Sequence, residues 1–418
     1  MNKLYPLLSK HILADKHAIV VDLQRSHGSW LVDEDGKERL DCFSQYASQP
    51  LGWNHSKVRE CSGRLFNVCM HNVANSDIYT REYAQFVETF ASITPDFKYH
   101  FFIAGGALGV ENALKAAFDW KAKKMGLNED ILRNKGAHGM TPSCLNVIHL
   151  KDAFHGRTGY TMSLTNTDPK KTDLFPKFDW TRITNPKIGS QWPDNQNIAL
   201  KEAEFVLKDK DVAAFIMEPI QGEGGDNHFH ESFAQEIRKL CDKYEAMLIF
   251  DEVQCGVGLT GKMWAYEHYN VKPDMICFGK KIQVCGFSSN ERIDEVKDNV
   301  FKVPSRINST WGGNLVDMVR STIYLEIIKE DNLVEQARLV GDYFLNKLNQ
   351  VGLLNLRGKG LMIAFDFETT DKRDEFLDRL SERMLAIKCG SRSIRLRPHL
   401  TFGLNEADLA TDFIRRAL

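Results

Sequence analysis

Through the middle of the chain, short apolar runs alternate with longer runs whose apolar positions recur every three to four residues. "CLNVIHL" (144–150), "VAAFIMEPI" (212–220), "AMLIFDE" (246–252) and "DMICFG" (274–279) are apolar or β-branched and bounded by polar residues, so each is expected to be a buried strand. Between them, "ESFAQEIRKLCDKYE" (231–245) sets Phe233, Ile237, Leu240 and Cys241 at helical spacing. "ENALKAAFDWKAKKMG" (111–126) is a second helical stretch, ending in lysines and a glycine as helices tend to. Strand–helix alternation of this kind predicts an α/β fold with a mostly parallel sheet covered by helices.

The two ends follow another pattern. Residues 17–41 hold two extended runs and a turn at "DEDGK", which predicts a small antiparallel unit. After about residue 315 come long amphipathic helices, then "GKGLMIAFDFE" and "SIRLRPHLTF", which predict strands. The expected organisation is a large central domain over 76–314 and a smaller α+β domain built from 1–75 and 315–418.

Composition narrows the class. With 418 residues, 43% hydrophobic and 26% charged, the chain has the profile of a soluble globular protein. Its 54 basic and 56 acidic residues leave a net charge of -2, which gives no general attraction to nucleic acid or to an anionic membrane. No apolar run is long enough to span a bilayer, and the N-terminal stretch lacks the apolar core and cleavage site of a secretory signal. The nine cysteines form no CxxC pair and are expected to be reduced thiols in a cytoplasm.

In open α/β sheets, ligands sit beyond the carboxyl ends of the strands. There the sequence places Phe154, His155 and Arg157; Glu218 and Glu223; Asp251, Glu252 and Gln254; and the adjacent Lys280 and Lys281. Each taken alone has an ordinary explanation: a helix cap for Asp251, a core ring for Phe154, a surface charge for Arg157, a solvated strand end for the lysines. Together they describe a sharper demand. A pyridinium nitrogen needs a carboxylate, and a carbonyl cofactor needs a lysine to form a Schiff base; both point to pyridoxal phosphate. The glycines of "AGGALGVENALK" (104–115) precede a helical stretch, where backbone N–H groups could cradle a phosphate, though a plain Gly-rich turn reads equally well. Neither a Walker loop nor a GxGxxG fingerprint is present. His228 and His230 have no HExxH or matching acid around them, so no metal site is expected. No GxSxG suggests a serine hydrolase.

Longer segments carry a resemblance. "PLGWNH", "GGALGVENALKAAFDW", "AFHGRTGYT", "EPIQGEGGD", "LIFDEVQCGVGLTGKMWAYE", "PDMICFGKK", "NSTWGGNLVDMV" and "SIRLRP" occur in this order over nearly the whole chain. In them the chain resembles the class III (ω-type) aminotransferases, pyridoxal-phosphate enzymes of fold type I. The resemblance implies that Lys280 forms the Schiff base, Asp251 pairs with the ring nitrogen, Gln254 touches the ring oxygen and Phe154 stacks on the ring. It implies phosphate contacts from Gly106 and Ala107 of one subunit and from Thr310 of the other, hence a homodimer with shared active sites. Arg157 would bind the substrate's distal carboxylate. Arg397 would bind the carboxylate next to the reacting carbon of 2-oxoglutarate or glutamate, and Glu223 would hold Arg397 aside when lysine is bound. "GGALGVENALKAAFDWK", "FPKFDW", "FGKKIQVCG" and "VPSRINSTWGGNLVDMVR" most resemble members acting on the ε-amine of L-lysine, whereas "AFHGR" and "QGEGGDNH" are also similar to members acting on GABA. The expected reaction is transfer of that ε-amino group to 2-oxoglutarate; GABA, ornithine or another diamine as donor stays open, as does a non-catalytic binding protein of the same fold.

Overall fold

The structure, a computed structural model, describes residues 2–127 and 145–418. Its centre is a seven-stranded sheet of β3 (Tyr99–Ile103), β4 (Asn146–Leu150), β5 (Arg182–Ile183), β6 (Val212–Met217), β7 (Met247–Asp251), β8 (Met275–Phe278) and β9 (Cys285–Ser289), in the order β3-β9-β8-β7-β6-β4-β5. Neighbours are parallel except at β9, which runs against both β8 and β3. The sheet is therefore mixed and mostly parallel. The four expected strands are present but shorter than their apolar runs: the runs of β6, β7 and β8 continue into the loops at the rim, whereas the run of β4 exceeds its strand only at the start, where Cys144 lies outside the described residues. β3 and β9 have no counterpart among the expected strands: "YHFFI" and "CGFSS" are too short to show a period.

β6, β7 and β8 are buried at every position, as strands covered on both faces must be. The helix Gly106–Lys124 covers one face, burying Val110, Ala113, Leu114, Ala117 and Trp120. The helix Glu231–Lys243 buries Phe233, Ala234, Ile237 and Cys241 on another side of the core; the Phe233 ring lies 6.3 Å from that of Phe215 in β6. At the end of β8, the buried Phe278 meets Phe90 with ring centroids 4.6 Å apart. Truncating such a ring to alanine costs about 3–5 kcal/mol, and here it would also loosen the turn that follows β8.

Two small sheets lie in the terminal parts of the chain, and the first joins the two ends. β2 (Glu38–Asp41) pairs antiparallel with β1 (Trp30–Val32) and parallel with β12 (Met384–Leu385). β10 (Leu354–Lys359), β11 (Met362–Asp366), β14 (Ser393–Leu396) and β13 (Ile387–Cys389) form an antiparallel sheet in that order. The helices Leu315–Glu330 and Leu333–Asn349 precede it. "GKGLMIAFDFE" is thus a hairpin rather than one strand: Gly360, at φ 54, makes the reversal between β10 and β11. No helix among the described residues is long and apolar enough to cross a membrane.

Candidate active site

Because β4, β6, β7 and β8 are parallel, the residues following them meet at one rim: Phe154 and His155 after β4, Glu218 after β6, Asp251 at the end of β7, Lys280 after β8. Asp251 pairs in register with Cys277 on the adjacent strand, which puts it beside the turn carrying Lys280. That turn is tight. Lys280 has φ 52, a left-handed conformation costing a non-glycine residue about 1 kcal/mol. Gln283 N–H closes the turn onto the Lys280 carbonyl at 2.7 Å, and its side chain donates to the same oxygen at 3.0 Å. The strain is held there by the packed strand before it.

The turn sends the two lysines in opposite directions. Lys280 lines a cavity of about 310 Å³ with Gly106, Ala107, Phe154, Arg157, Asp251 and Gln254. Burial pulls its ammonium pKa down, Asp251 pulls up and Arg395 pulls down again, for a net lowering that favours the neutral, nucleophilic amine. Lys281 is 2% exposed and donates to the Ala47 carbonyl at 2.7 Å, away from the cavity. Burial holds its pKa well below the ordinary value.

Asp251 is buried and accepts a hydrogen bond on each oxygen, from Val253 N–H at 3.1 Å and across 2.8 Å to His155 Nδ1. The other ring nitrogen of His155 is buried and has no partner among the described residues. Glu218 accepts from Phe154 N–H and Gly222 N–H, both at 3.0 Å, and so ties the loop after β4 to the loop after β6. Burial raises the Glu218 carboxyl to about 7. Neither His155 nor Glu218 stands out in the sequence beyond its place at a strand end.

The helix Gly106–Lys124 begins at the cavity wall. Its N-cap, Gly105, sits at φ 112, no side chain caps its first N–H groups, and its first turn holds no acid. These are free donors at the positive end of a helix dipole. Gly156, at φ 118, approaches so closely that a Cβ there would strike Ala107. Phe154 turns its ring toward Lys171 Nζ, 5.4 Å from the ring centroid. Arg157 is exposed at the mouth. Thr310 lies outside this cavity, on an exposed loop where its carbonyl accepts from Ser76 Oγ at 3.4 Å.

The expected Arg397–Glu223 pair is not formed. Glu223 Oε2 instead accepts from Arg395 Nη2 at 2.6 Å, and its Oε1 from Lys171 Nζ at 2.6 Å. Arg397 pairs with Asp226. The reason is register. Residues 395 and 397 share a face at the end of β14, one strand repeat of about 6.6 Å apart. The loop 223–226 runs beside that face, held by Gly390 N–H on the Glu223 carbonyl at 2.9 Å and by Arg357 on the Asp226 carbonyl at 2.9 Å. Each acid therefore meets one arginine. Gln254 Oε1 binds Arg395 at 3.0 Å and reaches Arg397 only at 3.4 Å. Arg395 and Lys171 are the site residues that sequence reasoning missed. "SIRLR" signals two arginines on one face without saying which faces the cavity, and nothing in "DPKKT" marks Lys171.

Residues 12–418 match the family model described as aminotransferase class-III. The chain is 45% identical to the L-lysine-epsilon aminotransferase of Mycobacterium tuberculosis, over 100% of this chain and 95% of that one. It is 44% identical to the L-lysine-epsilon aminotransferase of Amycolatopsis lactamdurans, over 98% and 94%. The solved structure of lysine aminotransferase from M. tuberculosis superposes with a TM-score of 0.94 over 100% of this chain and 98% of that one.

Proposed function

The chain belongs to the class-III aminotransferase family, and on that premise we propose that it moves the ε-amino group of L-lysine to 2-oxoglutarate. The products are glutamate and 2-aminoadipate 6-semialdehyde, which cyclises. The choice of lysine rests on the similarity to L-lysine-epsilon aminotransferases. The observation that carries the chemistry is a half-buried lysine with a lowered pKa beside a buried carboxylate, at the ends of adjacent strands.

The residues present fit pyridoxal phosphate. Gly106 and Ala107, at an uncapped helix start, would hold its phosphate. Asp251 would face the ring nitrogen, with His155 behind it fixing the carboxylate. Phe154 would cover one ring face, Gln254 would touch the ring oxygen, and Lys280 would carry the cofactor through its ε-nitrogen. When bound, the cofactor supplies the electron sink that lets an amino group be removed from one carbon and delivered to another.

The chain's own groups do the rest. Lys280 Nζ would take the proton from the reacting carbon and hand it on across the transferred nitrogen, a 1,3-shift for which its lowered pKa makes it the better base and acid in turn. Arg157 at the mouth holds the distal carboxylate that both substrates share. Arg395, in place of Arg397, receives the carboxylate that only 2-oxoglutarate and glutamate set next to the reacting carbon. Glu223 covers Arg395 while lysine is bound, because a bare guanidinium against an apolar chain would be costly. Thr310, exposed on its own chain, would complete the phosphate site of a second copy in a homodimer; the neighbouring Trp311 and Tyr79 are exposed rings that such an interface would cover. A cytoplasmic setting accords with the free cysteines among the described residues.

The test is a panel of amine donors with 2-oxoglutarate, following glutamate and the cyclic imine, alongside Lys280→Ala and Lys281→Ala proteins reduced with borohydride. Lysine should be the fastest donor, and only Lys280→Ala should lose the reducible cofactor link. Faster turnover of 4-aminobutyrate or ornithine would replace the lysine assignment; a link kept in Lys280→Ala and lost in Lys281→Ala would overturn the site.

A further inference from the structure

Glu223 stands between two cations brought from distant parts of the chain. Arg395, at the end of β14, holds one carboxylate oxygen at 2.6 Å; Lys171, on the segment after β4, holds the other at 2.6 Å. The side chains are 2% exposed for Arg395, 22% for Lys171 and 28% for Glu223. Lys171 has two further anchors: Thr167 Oγ1 at 3.3 Å and the face of Phe154, 5.4 Å from the ring centroid. Its position therefore does not depend on Glu223.

We propose that Lys171 is a specificity-determining counter-ion that keeps Glu223 compensated when a dicarboxylate takes Arg395. The inference rests on the assignment of Glu223 and Arg395 above and adds a third member to it. When a substrate carboxylate occupies Arg395, Glu223 must release it. A largely buried carboxylate released with no second cation would bear an unpaired charge. With Lys171 on Oε1, the released Glu223 keeps one charge-assisted bond, so opening costs less. Lys171 also occupies the oxygen that Arg395 would otherwise grip with its second N–H. Without it, Glu223 could meet the guanidinium fork with both oxygens, deepening the closed state. Both effects have one sign: Lys171 favours the open state, which the oxo acid needs, and leaves the closed state available to lysine. Lys171 acts through Glu223 and is a positioning residue.

Binding of two non-reacting ligands separates these states. Glutarate has a carboxylate at each end and needs Arg395; hexanoate has one and leaves the Glu223–Arg395 pair closed. Calorimetric titration of the holoenzyme should show glutarate binding weakened about fivefold to tenfold in Lys171→Met, the size of one partly buried charge contact. Hexanoate binding should change less than twofold, and Lys171→Arg should recover most of the glutarate affinity. In a Glu223→Gln background the Lys171→Met change should have no further effect on glutarate. Unchanged glutarate binding in Lys171→Met overturns the proposal. An equal loss in both backgrounds also overturns it, since Lys171 would then touch the ligand itself. A Glu223→Gln protein with the wild-type glutarate-to-hexanoate ratio would instead remove the underlying role of Glu223.

Discussion

Two ion pairs lie side by side along the end of β14, and they differ in freedom although they are built from the same groups. Arg397 and Asp226 are both buried, and the second Asp226 oxygen, Oδ2, has no hydrogen-bond partner among the described residues. The backbone of Asp226 is tied on both sides, its N–H to the Gly222 carbonyl at 3.2 Å and its carbonyl to Arg357 at 2.9 Å. The short aspartate has nowhere to turn. Glu223 has one more rotatable bond, a 28% exposed side chain and a second cation in Lys171. Charge is equal in the two pairs; burial, side-chain length and the presence of an alternative partner decide which can open. A pair able to open would suit the two differently charged substrates proposed above, and a pair that cannot suits the scaffold behind it.

The strongest way to break this contrast is Arg397→Met. It strands Asp226 as an uncompensated buried charge, and about 3–5 kcal/mol of folding stability should be lost, read from denaturant unfolding of the purified protein. If Arg395→Met destabilises as much, the two pairs are alike. Arg395→Met should act on catalysis instead. Losing a charge-assisted bond to a substrate carboxylate in a desolvated site removes on the order of 2 kcal/mol, roughly thirtyfold in rate. Single-turnover kinetics should show that loss in the half-reaction with 2-oxoglutarate and a smaller one with lysine; equal losses would make Arg395 a structural residue.

The smallest effect is a pH dependence. Burial pushes the Glu223 carboxyl up, but Arg395 and Lys171 outweigh it and the net shift is downward from 4.5. The unfolded chain then binds this proton more readily than the folded one, so the pair's contribution is present above pH 4.5 and fades as pH falls through the lower folded value. The stability gap between wild type and Glu223→Gln should shrink by up to about 1 kcal/mol between roughly pH 5 and pH 3. A gap that stays constant over that range would mean the pair contributes nothing in solution.

What the sequence determined by itself is local or periodic. Apolar runs of strand length place β4, β6, β7 and β8, and the 3.6-residue pattern places the helices Gly106–Lys124 and Glu231–Lys243. Parallel strands then oblige Asp251 and Lys280 to share a rim, whatever the details of packing. The family resemblance adds the expected order of roles along that rim. β3 and β9 escaped because five residues carry too little periodicity, and the β10–β11 hairpin because its reversal rests on one glycine's backbone. The resemblance pointed to Lys280, but the physical reason that it enters the cavity and Lys281 does not came only from the tertiary structure: a left-handed turn and the distant Ala47 carbonyl that takes Lys281. Tertiary structure alone decided that Glu223 meets Arg395 and not Arg397, and that Lys171 joins them. Residues two apart on a strand share a face, so period carries no information about which reaches a loop from another part of the chain. Only the register in which the segments pack supplies it.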